Sequence, residues 1–255
     1  MIDISFWLIV LLIFARMTAF VASAPFFSIR SVPPAAKGAL GLLLAVMMFP
    51  VVAKPSLSAG IDTFPYLLML IGEVLIGLAL GFTATVVFNG FRMAGQLIDL
   101  QIGLSMVGIF DPQSGSQNTI LAHFMDLLAI LLFTVLNGHY IILAALAKSY
   151  ELLPLGFGLP KGTIAEQIIN IFCGTFSLAV KIAAPVLAVL IIIDFVLGLV
   201  ARTVPQLNVF ILGFPLKIGF GIVTLSILLP FLVMIFTKIL STMEQDLLLI
   251  IRSFG

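Results

Sequence analysis

Apolar residues fall along this chain in long, nearly unbroken runs. Six lie near 4–22, 38–53, 64–90, 121–147, 168–201 and 208–240. About 20 residues of helix cross a 30 Å hydrocarbon core, so the second run is short and the last two are long. Helix is the one open-chain conformation that satisfies its own backbone in lipid. No sustained two-residue alternation argues for barrel strands. The pattern predicts an all-α, membrane-embedded chain of about six apolar helical segments arranged as hairpins. Pro- and Gly-containing breaks separate the runs, as turn chemistry requires: "SIRSVPPAAKG", "AKPSLSAGIDTFP", "DPQSGSQN", "PLGFGLPKG" and "RTVPQLN".

Composition agrees with the pattern. Among the 255 residues, 62% are hydrophobic and 9% charged, whereas soluble domains carry about 25% charged residues. So few charges do not cover a water-facing surface. The net charge of +1 gives no basic footprint for nucleic acid. Cys173 is the single cysteine, which excludes an internal disulfide, and with two histidines it offers no zinc spacing. At the N-terminus, "VASA" (21–24) looks like a cleavage site. Yet Asp3 precedes the run, no Lys or Arg does, and Pro25 would be the first mature residue, so the segment is expected to be retained. If loops alternate, Arg30, Lys37, Arg92 and Arg202 lie on one side, and Lys54, Lys148, Lys161, Lys238 and Arg252 on the other. Four against five gives no orientation under the positive-inside rule.

A few polar residues are costly in such runs. Glu73, Gly77, Gly81, Thr85 and Asn89 recur every four residues and form a ridge on one helix face. Small and polar ridges permit close helix contact and hydrogen bonds across it. Intramolecular packing and an interface with another subunit both fit. Glu73 would cost about 2.5–3.5 kcal/mol at mid-bilayer, so it is expected to face a polar cavity or a partner. Its counter-ion is not legible. Near the C-terminal half, Pro205 restricts Val204 and disfavours continuing a helix, which centres a turn near Gln206. Asp194 is twelve residues before that point and Lys217 eleven after it. In an antiparallel hairpin they lie at one depth, and pairing is expected, unless Pro215 distorts the second arm or each charge meets another chain. Gly198 and Arg202 continue the four-residue spacing from Asp194. In Pro205-Gln206-Leu207-Asn208, Gln206 and Asn208 supply side-chain amides that suit capping of helix ends at the bend. Asn137-Gly138-His139 suggests a second polar kink, with the histidine structural.

Catalytic chemistry is thin. "QSGS" (113–116) is not Gly-x-Ser-x-Gly, Ser114 and Ser116 have no evident base, and neither a His-Glu-x-x-His nor a phosphate loop is present. No enzyme activity, cofactor or metal is expected. Intramembrane Glu73, Asp194 and Lys217 with Pro-broken helices also fit a secondary transporter of a small solute, although no internal repeat is visible. An inert assembly scaffold is a third possibility.

Several segments are similar to one family. "APFFSIRSVP" (24–33), "GEVLIGLALGF" (72–82), "GQLIDLQIGLSM" (95–106), "FDP" (110–112), "NGH" (137–139) and above all "DFVLGLVARTVPQLNVFILGFPLKI" (194–218) resemble the FliR family of type III secretion export-gate proteins. The resemblance covers nearly the whole chain and leans to the flagellar branch. It implies a single export-gate domain over 1–255. Residues 1–120 would be N-terminal hairpins leading into a plug loop, and 121–255 C-terminal hairpins. It further implies a core subunit that builds, with FliP- and FliQ-like partners, a helical pore complex for unfolded flagellar proteins. That complex would work beside FlhB- and FlhA-like components in the bacterial inner membrane, at the flagellar basal body. Energy for export would come from an ATPase and the proton motive force. By the same resemblance, residues 103–117 project into the pore and help close it: Gly103, Met106, Gly108, Phe110, Asp111, Pro112, Gly115 and Gln117. Composition suits that role, since Met106 fills irregular gaps and the glycines allow rearrangement. Composition alone fits an ordinary solvated loop as well.

Overall fold

The computed structural model describes residues 4–25, 33–52, 62–105, 119–156, 164–206 and 208–254. Among these are seven helices and no strand: α1 (Ile4–Ser23), α2 (Pro34–Met48), α3 (Thr63–Ile102), α4 (Ile120–Val135), α5 (Gly138–Leu152), α6 (Ile164–Thr203) and α7 (Val209–Phe254). Local chemistry sets their ends. Pro25 lies just beyond α1. Pro34 occupies the first turn of α2, where its missing N–H costs nothing, and Phe49 precedes Pro50, which disfavours a further turn. Val204 stands before Pro205 and ends α6 in the same way.

α3 and α6 have 40 residues each and α7 has 46. At 1.5 Å per residue, 40 residues span about 60 Å, twice a hydrocarbon core. Two expected boundaries therefore move. The run at 64–90 continues as helix to Ile102 because Arg92, Asp99 and Gln101 each find a partner (below). The run at 208–240 continues to Phe254. Glu244 and Asp246 interrupt its hydropathy, but Met243, Leu247, Ile250, Ile251 and Phe254 keep a buried helical face. The run at 121–147 is not one straight helix. It breaks into α4 and α5, bent by 71°, at Asn137, whose φ of 56° and ψ of 32° lie in the left-handed region. The polar Asn137-Gly138-His139 kink expected from sequence falls at this bend.

The described residues form two compact units, interleaved in sequence. The first contains 1–87, 134–173 and 239–255; the second contains 88–133 and 174–238. In the first unit α1 buries Leu12, Ile13, Met17, Phe20 and Val21, and α3 buries Ile76, Leu80 and Ala84. In the second, Phe91 of α3 meets Phe236 of α7 edge-on at 5.1 Å, and Phe88 meets Phe133 of α4 at 5.3 Å.

Candidate functional site

In the first unit the ridge on α3 lies against α1. A Cβ at Gly77 would run into the Arg16 carbonyl oxygen, and one at Gly81 would lie 2.8 Å from that of Phe20. The Thr85 hydroxyl donates to the Ser23 carbonyl at 2.7 Å. Of the two readings open in the sequence, intramolecular packing therefore accounts for residues 73–85. Glu73 is 1% exposed, and its counter-ion is Arg16, which is fully buried. Arg16 Nε donates to Glu73 Oε2 at 2.5 Å, Nη1 to Ser149 Oγ at 3.2 Å and Nη2 to the Leu153 carbonyl at 3.1 Å. The guanidinium also stacks 4.1 Å from the centre of the Tyr150 ring, a cation–π contact. Glu73 Oε1 accepts from the Gly156 N–H at 3.1 Å. One buried ion pair thus joins α1, α3, α5 and the turn after α5, with both charges hydrogen-bonded beyond each other.

In the second unit a buried carboxylate brackets the connection between α3 and α4. Asp99 Oδ2 accepts from the backbone N–H groups of Leu121 and Ala122, at 2.9 and 3.0 Å. These are orphan donors in the first turn of α4. An acidic group there also suits the positive end of the helix dipole. A Cβ at Gly95, one turn earlier, would lie 2.5 Å from the Ala122 Cα, so only glycine lets the two helices approach this closely. Gly103 follows α3 with φ +96° and donates its N–H to the Asp99 carbonyl at 2.9 Å. Both ends of the connection are therefore held at one residue. Of the expected plug residues, Gly103 is in place at the start of that connection. Met106, Gly108, Phe110, Asp111, Pro112, Gly115 and Gln117 lie outside the described residues.

The α6–α7 hairpin turns at Pro205–Gln206, and Lys217 Nζ meets Asp194 Oδ1 at 2.5 Å. Helix α7 continues through Pro215 without losing the level. The pair is not deeply buried: the Asp194 side chain is 39% exposed and that of Lys217 21%. Gln101 Nε2 donates to Asp194 Oδ2 at 2.9 Å, so three helices meet here. Arg92 pairs with Asp126 at 2.7 Å. Arg202, Pro205, Gln206 and Asn208 are exposed, not buried, in this chain; they sit in the last turn of α6 and in the hairpin bend. The Asn208 carbonyl accepts from the Ile211 N–H at 3.0 Å, so backbone contributes to capping this bend.

Sequence reasoning missed Arg16, Arg92, Asp99, Gln101 and Ser149 as site residues. Arg16 gave a usable signal, being the one cation in the first apolar run. No group of His, Cys, Asp or Glu able to hold a metal occurs among the described residues.

Four helices are long and apolar enough to cross a membrane, and up to five spans result if the bent α4–α5 pair counts as one. With these apolar helices and a buried ion pair joining three of them, fold and site define a polytopic helical membrane protein. A family model described as "Bacterial export proteins, family 1" matches residues 7–243. The chain is 35% identical over 247 residues to the flagellar biosynthetic protein FliR of Bacillus subtilis, covering 94% of this chain and 95% of that protein. It is 35% identical to the FliR protein of Escherichia coli, covering 84% and 82%, and 31% to that of Aquifex aeolicus, covering 88% and 86%. The chain belongs to this family of bacterial export proteins, the FliR family of flagellar biosynthetic proteins.

Proposed function

We propose that this chain is a core subunit of the flagellar protein export gate. It forms, with FliP- and FliQ-like partners, an inner-membrane pore for unfolded flagellar proteins at the basal body, beside FlhA- and FlhB-like components. Residues 103–117 act as a plug over that pore, and the chain itself performs no catalysis. The observation that carries the gate reading is the outward surface of α6 and α7. In their most apolar stretches only 22% and 17% of residues are buried within the chain. Open glycines and the charges Lys181 and Arg202 interrupt that surface, which suits contact with other helices better than contact with lipid alone. The Asp99 contacts support the plug reading, because a closing segment needs both ends fixed while its middle rearranges.

A small-solute transporter would use unpaired intramembrane charge at a binding site. Glu73, Asp194 and Lys217, the three charges on which the transporter reading rests, are each paired inside the chain, which takes that support away. The test is ion leakage in cells carrying a deletion within residues 103–117, with complex assembly followed in parallel. Leakage through an intact complex is expected. An intact complex without leakage would overturn the plug assignment. Isolation of the wild-type chain without companion chains would overturn the gate reading.

A further inference from the structure

The outward face of α6 changes character along its length. Between residues 174 and 188 one strip of it carries Gly174, Ser177, Lys181, Ala184, Pro185 and Ala188, all exposed, with the larger Phe176 and Val180 exposed beside it. Beyond them Ile191, Ile192 and Phe195 are large and exposed, and Gly198 is the next small exposed position. A surface facing acyl chains favours large side chains, whereas small residues collect where helices approach closely. A Cβ placed on Gly174 would meet no atom within 4 Å. Room is therefore left on this strip that nothing among the described residues fills.

Two polar groups open onto the same strip. Arg16, Arg92 and Lys217 are all ion-paired within the chain, but Lys181 has no partner among the described residues. It lies near the middle of α6, 17 residues from Ile164 and 22 from Thr203. Four residues on, Pro185 has no N–H, so the Lys181 carbonyl lacks its ordinary helical donor. An ammonium group supplies donors only, and a bare carbonyl accepts only. Neither is satisfied by hydrocarbon.

We propose that this strip docks a membrane helix of another protein chain, one presenting a carboxylate to Lys181 and small side chains around it. The inference rests on the multi-subunit gate reading and names the chemistry of one contact in it. The carboxylate neutralises the ammonium where the dielectric is low, and the small residues let the backbones approach closely enough for the two groups to meet.

The test uses membranes of cells that produce the full export apparatus. The amount of this chain in the purified complex is measured against its amount in the membrane, for Lys181→Arg, Lys181→Leu, Lys181→Glu and Ala184→Leu. Lys181→Arg should stay within twofold of wild type. Lys181→Leu and Lys181→Glu should fall at least tenfold, and Ala184→Leu at least fivefold, with membrane levels unchanged. Ala184→Leu keeps the charge, so it decides the matter if the Lys181 variants fail to accumulate. Wild-type assembly of Lys181→Leu and Ala184→Leu would overturn the proposal and assign the strip to lipid, with Lys181 reaching for a headgroup. Companion chains retained by such variants would leave the gate reading standing. Their absence from the wild-type preparation would remove both.

Discussion

Replacing Arg16 by Met should be among the most damaging single changes in this chain. The guanidinium is fully buried, and its loss strands Glu73, which keeps only the Gly156 N–H at 3.1 Å. An uncompensated buried charge costs about 3–5 kcal/mol. Glu73→Leu leaves the cation its bonds to Ser149 and Leu153 and its stacking on Tyr150, but again without a counter-charge, and falls in the same range of about 3–5 kcal/mol. The double replacement removes both charges. What remains unsatisfied is the Leu153 carbonyl and the Gly156 N–H, at about 1–3 kcal/mol each; Ser149 still has the Leu146 carbonyl at 2.7 Å. The singles then sum to about 6–10 kcal/mol and the double to about 2–6 kcal/mol, a coupling of several kcal/mol. Unfolding in mixed micelles, titrated with a denaturing detergent, measures all four forms. Additivity within about 0.5 kcal/mol would refute the reasoning, because independent sites do not rescue one another.

Asp194→Asn and Lys217→Met should each lower complex yield, and the double change should do less harm than the sum. The coupling should be well below that of Arg16–Glu73 because the pair is partly exposed, and simple additivity would sink the pairing as an energetic unit. Gly81→Leu should push α1 from α3, since even a Cβ there meets Ser23 and Phe20. A loss of about 1–3 kcal/mol or more is expected, and unchanged thermal stability would contradict the close contact. Asp99→Ala should cost about 0.5–2 kcal/mol as a lost helix cap. That is a melting shift of roughly 2–4 °C per kcal/mol for a chain of this size. Asp99→Asn keeps an oxygen acceptor and should recover most of it, so equal melting points for the two variants would argue against the cap.

The sequence made legible whatever is local or set by a symmetric count. The helix breaks follow from Pro25, Pro50, Pro205 and Asn137. Asp194 and Lys217 met because each lies about three turns from one proline-defined bend, and a hairpin preserves that level. Arg16 and Glu73 are 57 residues apart, on α1 and α3, with α2 between them in the chain. No spacing rule reaches across that interval. Asp99 was hidden for a related reason: its partners are backbone N–H groups, which every residue but proline has. The ridge on α3 was visible, yet its occupant was not, because a glycine row specifies close approach without naming what approaches.

Non-local pairing also bears on the charge pattern that would orient the chain. The positive-inside rule counts cations left in loops beside a membrane. Of the nine cations in that count Arg92 lies within α3 and is neutralised by Asp126; Arg16 and Lys217, outside the count, are likewise paired with Glu73 and Asp194. Charge that is spent on joining helices carries no information about sidedness. On the proposed gate reading it is also withheld from anything passing through. A conduit for unfolded chains of mixed charge gains from that, since a fixed unpaired charge would hold some segments and repel others. On the proposed gate reading these pairs, one buried and two partly exposed, brace helices too long to be held by one crossing of the bilayer, and the charges they join are not free to bind a passing chain.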